Sequence, residues 1–296
     1  MIARSPWDGA DERGVTQVAH SDPHIVADGT SPVEDQEELA EATDRAEDDS
    51  AAVGVRSLDR PFAILRVLRE NRFPMRLTEI ATAAKLHLAT TQRIVNLLIR
   101  HGYVERSGVE YRLGLVSLID GYTYLLTNNL TQVAEPVLLE LTASTKLSSV
   151  LSVRYDLTQV RVLVVLSAPL RRYQTMVGER VPLVVGGARV LAAGLSSEDL
   201  ERLLDGVETI TYANGSELSR QEFIESLGDI RKRGYAFGQG QGEGGSVSIA
   251  VPVMNHQSEV IAAIQISGHI EDIQVDVDAL VSELKRASAA VTRRLP

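Results

Sequence analysis

The pattern of apolar and polar positions becomes regular at Ser57 and first predicts a short helix. Ser57 can cap a helix N-terminus, and Pro61 falls near the first turn, where a missing N–H costs least. Apolar residues then recur at helical spacing, at Leu58, Phe62, Leu65 and Leu68. The stretch NRFPMRL breaks this pattern, so we expect the helix to end before it.

Further helices are predicted between this break and residue 104. The stretch LTEIATAAKL predicts a second short helix with Thr78 near its start. We expect Ile80, Ala83 and Ala84 to face inward. The stretch HLATTQRIVNLLIRHGYV predicts a third helix, which ends where Gly102 can take the left-handed C-terminal conformation. Its inward positions, spaced i, i+3, i+4, i+7, are Ile94, Leu97, Leu98 and His101.

The opposite face of the third helix carries polar groups suited to duplex DNA. Amides can read adenine edges, and a guanidinium can read guanine or bind phosphate. This face consists of Ala89, Gln92, Arg93, Asn96 and Arg100. An ordinary solvated helix face is the alternative interpretation.

A hairpin with a glycine turn follows the third helix. In YVERSGVEYRLG, two short strands flank Ser107-Gly108. Three helices followed by a small hairpin define a winged helix-turn-helix over residues 56–113. Arg106 and Arg112 in the hairpin are candidates for phosphate contacts, which position a protein on DNA without selecting a sequence.

Residues 114–130, GLVSLIDGYTYLLTNNL, carry one apolar stripe. The stripe consists of Leu115, Leu118, Ile119, Tyr122, Leu125 and Leu126. It fits a linker helix that packs against a partner chain or the next domain. A core helix within one domain is the alternative that the sequence leaves open.

Residues 131–296 alternate between helix-like and strand-like stretches. The strand-like stretches are SSVLSVRYD, QVRVLVVLS, SVSIAVPVM and EVIAAIQIS, and the helix-like ones are QEFIESLGDIRKRG and DVDALVSELKRASAAVTRRL. This order predicts one antiparallel sheet flanked by helices, which places the whole chain in the α+β class.

The stretch FGQGQGEGGS contains Gly240-x-Gly242-x-x-Gly245, the spacing of a dinucleotide-binding fingerprint. That fingerprint requires a helix after the glycines, so that the pyrophosphate meets free N–H groups. The residues that follow, VSIAVPVM, predict a strand instead. We therefore expect a loop from Phe237 to Ser246 and no cofactor.

Charge is distributed unevenly along the chain. Residues 1–55 carry 3 Lys/Arg and 14 Asp/Glu, a net charge of −11, whereas residues 56–115 carry 11 and 5, a net charge of +6. The acidic segment is poor in large apolar residues and is expected to be a disordered tail. The basic block has the charge expected of a surface that contacts a phosphate backbone.

Composition excludes several classes of protein and site. The chain has no cysteine, which excludes disulfides and a thiol nucleophile and favours a reducing cytoplasm. No apolar run approaches the roughly 20 residues of a membrane helix, and the N-terminus lacks the apolar core of a signal peptide. The histidines have no metal-ligand spacing and no catalytic constellation is evident, so we expect neither a metal site nor an enzyme.

Taken as a series, these stretches resemble the IclR-type transcriptional regulators. SLDRPFAILRVL is similar to the family's first helix, and LTEIATAAKLHLATTQRIVNLLIRHGYVE with YRLG resembles its helix-turn-helix and wing. Thr90 and Arg93 match the family's Ser-Thr-x-x-Arg pattern, while Ala89 lacks the serine hydroxyl. EPVLLELTASTK, VGERVPL, VVGGARVLAAGLS and the region from Ile230 to Gly268 resemble its ligand domain, with Gly187-Ala188-Arg189 where Ser-Gly-Lys is usual.

The resemblance implies a GAF-like sensor domain over residues 131–296, after the linker helix of residues 114–130. It also implies a homodimer, commonly paired into a homotetramer, and a small-molecule effector. The residues expected to contact DNA are Ala89, Thr90, Gln92, Arg93, Asn96, Arg106 and Arg112.

The same resemblance places the effector site beside two groups of glycines. Gly186 and Gly187 precede a helix that starts at Ala188, where free N–H groups would favour a carboxylate. Facing polar groups would come from Ser248, Gln265 and Ser267, the last two of which share a strand face. A flexible surface loop beside a plain strand end is the alternative.

The sequence thus predicts a ligand-responsive, DNA-binding transcriptional regulator. Its expected partners are a double-stranded DNA operator and a small organic or aromatic acid, and no membrane. The alternative is a metabolite-binding protein whose winged domain contacts other proteins.

Deletion of residues 1–55 is expected to strengthen non-specific DNA binding at low salt. The net charge of −11 on this segment can compete with phosphates for the basic block, and salt screens that competition. Gel-shift titrations with random duplex DNA at two salt concentrations measure the effect. Equal affinities with and without the segment would contradict it.

Overall fold

The computed structural model describes residues 58–71, 73–167, 176–241, 246–269 and 276–295. The acidic segment, the cap predicted at Ser57, and Gly242 and Gly245 lie outside these residues. None of the helices described is long and apolar enough to cross a membrane.

The first described unit is the expected winged helix-turn-helix, with one additional strand. Its elements are α1 over residues 58–70, β1 (Met75–Arg76), α2 (Leu77–Ala83), α3 (Leu88–Arg100), β2 (Val104–Ser107) and β3 (Glu110–Leu113). Strand β1 was not predicted, because a two-residue strand leaves no periodic signal. It pairs with β3, where Met75 lies opposite Tyr111, so the wing is a three-stranded sheet in the order β1-β3-β2.

The inward face of α3 differs from the predicted one. Leu97 is 38% exposed and His101 is exposed, so both predictions were wrong. The buried positions are Thr91, Ile94, Val95 and Leu98. These positions keep the predicted spacing of i, i+3, i+4, i+7, but the buried face begins one helical turn earlier than predicted. Thr91 can be buried because its hydroxyl donates to the carbonyl of His87 at 3.1 Å, a local bond that no apolar pattern reveals.

The other two helices of this unit also required corrections. In α2, Ile80 is buried as expected, but its buried neighbour is Ala81, whereas Ala83 is exposed. In α1, Ile64 and Leu68 are buried, while two of the apolar positions that defined the predicted stripe, Leu58 and Phe62, are 65% and 63% exposed.

A pair of helices joins this unit to the rest of the chain. They are α4 (Leu115–Thr127) and α5 (Asn129–Thr145), separated by Asn128. The Asn128 side chain accepts hydrogen bonds from the N–H groups of Leu130 and Thr131, so it caps the N-terminus of α5. Its extended backbone separates α5 from α4. No residue of α4 is buried in the described chain. This exposure favours the predicted linker helix over a core helix within one domain.

The second unit is built on a six-stranded antiparallel sheet. Its strands are β4 (Ser148–Tyr155), β5 (Thr158–Val165), β6 (Arg180–Pro182), β9 (Ala236–Gln239), β10 (Ser246–Met254) and β11 (Val260–His269), in the order β6-β5-β4-β11-β10-β9. The four long strands are the predicted ones. Strand β9 corrects the loop expected from Phe237 onward, because Phe237 and Gln239 pair with Ile249 and Val247.

Helices cover both faces of this sheet. On one face, α5 and α9 (Val277–Thr292) pack against Leu151, Ile264 and Ile266. The opposite face is covered by a 3₁₀ turn (Gly186–Ala188), α6 (Arg189–Ala192), α7 (Ser197–Leu203), a small hairpin of β7 (Thr209–Thr211) and β8 (Glu217–Ser219), and α8 (Arg220–Arg233). The second face holds the residues predicted to form the effector site.

Two glycines bring the 3₁₀ turn and β9 into direct backbone contact. A Cβ added at Gly238 would lie 2.4 Å from the Cα of Gly186. No side chain fits between these backbones, so glycine at position 238 is required for the turn to lie against the sheet.

Gly238→Ala is expected to destabilise the protein by about 1–3 kcal/mol, because the added methyl meets backbone that cannot rotate away. Gly228→Ala in α8 is the matched control: no heavy atom lies within 4 Å of its added Cβ. There alanine should stabilise the helix by about 0.5–1 kcal/mol. Urea unfolding measures both variants, and equal midpoints would contradict the assigned contact.

Candidate nucleic-acid interface and effector site

The outward face of α3 presents the polar side chains predicted to contact DNA. Ala89, Arg93 and Asn96 are exposed, and Thr90 and Gln92 are half-buried. The Gln92 Nε2 donates to the Asn96 Oδ1 at 2.9 Å, one helical turn apart. This bond fixes the two amides relative to each other, while the Gln92 carbonyl and the remaining Asn96 N–H groups stay available to base edges.

The two wing arginines lie on opposite faces of the hairpin. Arg112 pairs in register with Glu105, and its Nε donates to the Glu105 carboxylate at 2.5 Å. Arg106 lies opposite Tyr111 and donates from Nε to the carbonyl of Gly108 at 2.7 Å, at the tip of the turn. Among the described residues no carboxylate forms an ion pair with Arg106 at the wing tip, whereas the charge of Arg112 is paired with Glu105.

The winged unit is joined to α4 by a short, direct connection. The Tyr103 hydroxyl donates to the Asp120 carboxylate at 2.6 Å, and this bond raises the pKa of the Tyr103 phenol. The Gly114 N–H donates to the Tyr103 carbonyl at 2.8 Å. A Cβ at Gly114 would lie 2.2 Å from the Gly102 carbonyl oxygen. The end of α3 and the start of α4 are therefore in close contact.

Sheet register brings the predicted effector residues together on one face. Ser248 pairs with Ser267, and Gln265 lies two residues away on the same side of β11. A Cβ at Gly187 would lie 3.0 Å from the Gln265 Oε1 and 3.6 Å from the Ser248 Oγ. The structure therefore places Gly186, Gly187, Ser248 and Gln265 in one cluster, with Ser267 beside it.

The N–H groups expected to be free at this turn are occupied. Gly187 donates to the Ser248 Oγ at 3.1 Å, and Gly186 donates to the Gln241 Oε1 at 3.0 Å. The expectation that these N–H groups would be free is therefore wrong. Side chains distant in sequence satisfy them, and no local pattern shows that.

Several polar residues of this face were not found from the sequence. Ser152 on β4 and Gln159 and Arg161 on β5 are buried on the same side as Gln265, since Ser152 lies opposite Ala263 and Arg161. Arg161 forms an ion pair with Glu179. A signal was present in the stretch SSVLSVRYD, where Ser152 is a polar residue between the apolar residues Leu151 and Val153 of a predicted strand.

Arg189 and Tyr212 extend the polar cluster on the helix side. The Arg189 guanidinium is buried and donates to the carbonyls of Gly186 and Phe237, and no carboxylate among the described residues forms an ion pair with it. Burial lowers the pKa of the Arg189 guanidinium and raises that of the Tyr212 phenol. A buried, unpaired cation of this kind favours a nearby anion.

Among the described residues, no group of three or more His, Asp or Glu side chains could hold a metal ion. The Gly240 turn lies against Asn214, whose amide donates to the Gln239 carbonyl at 3.2 Å. The glycine-containing stretch thus connects strand β9 to strand β10, which is not the strand-to-helix setting of a dinucleotide site.

A winged helix-turn-helix joined by a helix to a sheet domain with a buried polar face is the architecture of a ligand-responsive DNA-binding regulator. Two family models match the chain: an IclR helix-turn-helix domain over residues 57–108, and the bacterial transcriptional regulator IclR C-terminal domain over residues 122–293. The chain belongs to the IclR family, whose members regulate transcription rather than catalyse reactions.

Individual relatives agree with this assignment. The chain is 26% identical to the HTH-type transcriptional regulator XynR of Escherichia coli strain K12, over 81% of this chain and 97% of that protein. It is 28% identical to the transcriptional repressor IclR of the same strain, over 75% and 83%. The crystal structure of an IclR regulator from Alicyclobacillus acidocaldarius shares the fold with a TM-score of 0.72 at 24% identity, over 81% and 98%. An IclR homologue from Microbacterium hydrocarbonoxydans, solved with 4-hydroxybenzoate, has a TM-score of 0.69 at 21% identity, over 80% and 98%.

Proposed function

We propose that this regulator binds its operator by inserting α3 into the major groove. The observation that carries the proposal is the exposed face of α3, on which Arg93 and Asn96 extend from a helix buried on its other side. Gln92 and Asn96 would read base edges as a coupled pair, and Arg93 would bind guanine or phosphate. Arg106 at the wing tip would add a phosphate contact.

The regulator is proposed to act as a homodimer through α4. Five of its apolar side chains are more than half exposed in the single chain: Leu115, Leu118, Ile119, Tyr122 and Leu126. A stripe of this size on one helix is typical of a covered interface. A second copy suits it, because two winged units are needed to read two half-sites. Pairing of dimers into a tetramer stays an expectation from the family resemblance.

The effector is proposed to be a small organic acid held on the polar face of the second sheet. Support comes from the buried guanidinium of Arg189, which has no carboxylate partner among the described residues. Ligand binding would act through α5 and α4 on the winged units, because α5 packs on the same sheet and α4 contacts the end of α3. A changed spacing of the winged units would then alter operator affinity. The cytoplasmic location expected from the sequence stays a prediction.

Arg93→Ala is expected to weaken operator binding by about 1–3 kcal/mol without changing the melting temperature, because the side chain is exposed and its proposed contact is with DNA. Gel-shift titration measures the affinity. Arg66→Ala is the control, since Arg66 is also exposed but lies on α1 and not on α3. Unchanged affinity for Arg93→Ala would contradict the assignment. So would a salt-independent affinity of the wild-type protein, which would favour protein partners instead.

Leu118→Glu is expected to convert the dimer to a monomer and to abolish operator binding, because a carboxylate in an apolar interface is not solvated. Light scattering after gel filtration measures the mass. Leu139→Glu on α5 is the matched control: Leu139 is 54% exposed, lies outside the α4 stripe, and should keep the dimer mass. A Leu118→Glu variant that stays dimeric would exclude α4 as the interface.

A further inference from the structure

The polar face of the second sheet contains buried oxygens without a partner. The Oγ of Ser152, the Oε1 of Gln265 and the Oγ of Ser267 are buried, and none has a hydrogen-bond partner among the described residues. Their side chains are at most 2% exposed. The Gln159 Oε1 and the Tyr212 hydroxyl are also without a partner among the described residues. Buried polar atoms in native proteins are nearly always paired, so the three orphaned oxygens on β4 and β11 require a physical reason.

These oxygens lie close together on adjacent strands. Gln265 and Ser267 are two residues apart on β11, roughly 7 Å along the strand. Ser152 on β4 lies opposite Ala263, two residues from Gln265 in the other direction. All three point to the side covered by the 3₁₀ turn, where Gly187 lies over Gln265 without a side chain of its own. The group spans the length of a small molecule of a few carbons.

Partnered serines on the same strand show that the orphaned oxygens are not a general feature of this sheet. Ser149 and Ser152 are both on β4 and both 0% exposed. The Ser149 hydroxyl faces the opposite side, where it donates to the Leu138 carbonyl at 2.9 Å and contacts the Thr142 hydroxyl at 2.6 Å. Local packing therefore pairs the Ser149 hydroxyl on the side covered by α5. It leaves the Ser152 hydroxyl on the polar face without a partner among the described residues.

The chemistry of the orphaned atoms restricts the ligand. An amide oxygen only accepts hydrogen bonds, while a serine hydroxyl both donates and accepts. An ionised carboxylate only accepts, so it cannot satisfy the Gln265 oxygen. The Gln265 oxygen needs a donor, and a hydroxyl group, which both donates and accepts, can pair with each of the three atoms. Three such atoms spread along two strands require more than one ligand group.

We infer that the effector is a hydroxyl-bearing small molecule whose hydroxyl groups bond to Ser152, Gln265 and Ser267. This inference rests on the proposed function, because it specifies the ligand of the same sensor site. The carboxylate assigned to the effector above is a separate feature, and hydroxyl recognition does not depend on it.

Matched serine variants test whether the unpaired oxygens serve ligand binding and not the stability of the fold. Ser152→Ala removes an unpaired buried hydroxyl, so its ligand-free melting temperature should equal or exceed that of the wild type. Ser149→Ala removes a paired hydroxyl and should lower the melting temperature by about 2–4 °C. If Ser152→Ala is destabilised as much as Ser149→Ala, its hydroxyl has a structural role and the inference is wrong.

Matched ligands test the class of compound by thermal shift with the full-length protein. Gluconate, hexanoate and sorbitol form one set, and 4-hydroxybenzoate, benzoate and phenol form another. In at least one set the hydroxylated acid should raise the melting temperature, while its counterpart without hydroxyls binds about tenfold more weakly or less. Ser152→Ala and Gln265→Met should lose this preference, and Ser149→Ala should keep it.

Two outcomes would overturn the inference: equal shifts for the hydroxylated and unhydroxylated acids, or no shift from either member in both sets. Shifts by sorbitol or phenol equal to those of the acids would support hydroxyl recognition and contradict the proposed carboxylate. Gel shifts with ligand-free protein report on the regulator function separately. Loss of operator binding there would contradict the proposed function while leaving the thermal comparison interpretable.

Discussion

The register of β11 in the second sheet is the constraint on which the sensor depends. Successive residues of a strand face opposite sides, so Ile264 and Ile266 enter the core under α5 and α9 while Gln265 and Ser267 face the 3₁₀ turn. A slip by one residue would bury the polar pair in the apolar core and place the isoleucines on the polar face. The large apolar burial on one side therefore fixes the position of the polar groups on the other.

Glycine has a steric role around this polar face. The turn at Gly186 lies against β9 because Gly238 has no side chain, and Gly187 lies over Gln265 for the same reason. The N–H groups of the turn are satisfied by Ser248 and by a glutamine near the end of β9. Close backbone packing is thus the role of Gly186, Gly187 and Gly238, and the hydrogen-bonding capacity of the face resides in side chains.

The winged unit and the six-stranded sheet are connected through α4 and α5, and each junction is held by specific contacts. Gly102 and Gly114 allow the end of α3 and the start of α4 to approach closely, and the Tyr103–Asp120 bond fixes their orientation. Asn128 then caps α5 directly after α4 ends. The apolar stripe of α4 is exposed in the part of the chain that the structure describes, and this helix is therefore the proposed contact with a partner subunit.

The sequence by itself determined the winged unit, the four long strands and the helices α4, α8 and α9, because these depend on local periodicity and turn chemistry. It also identified Gln265 and Ser267 as neighbours on one strand face. It misplaced Leu97 and His101, since apolarity alone does not show where a helix leaves its core. Only the tertiary structure showed that the turn N–H groups are occupied and that Ser152 joins the polar face. Those facts depend on which strands and loops meet, and pairings between distant segments leave no trace in local composition.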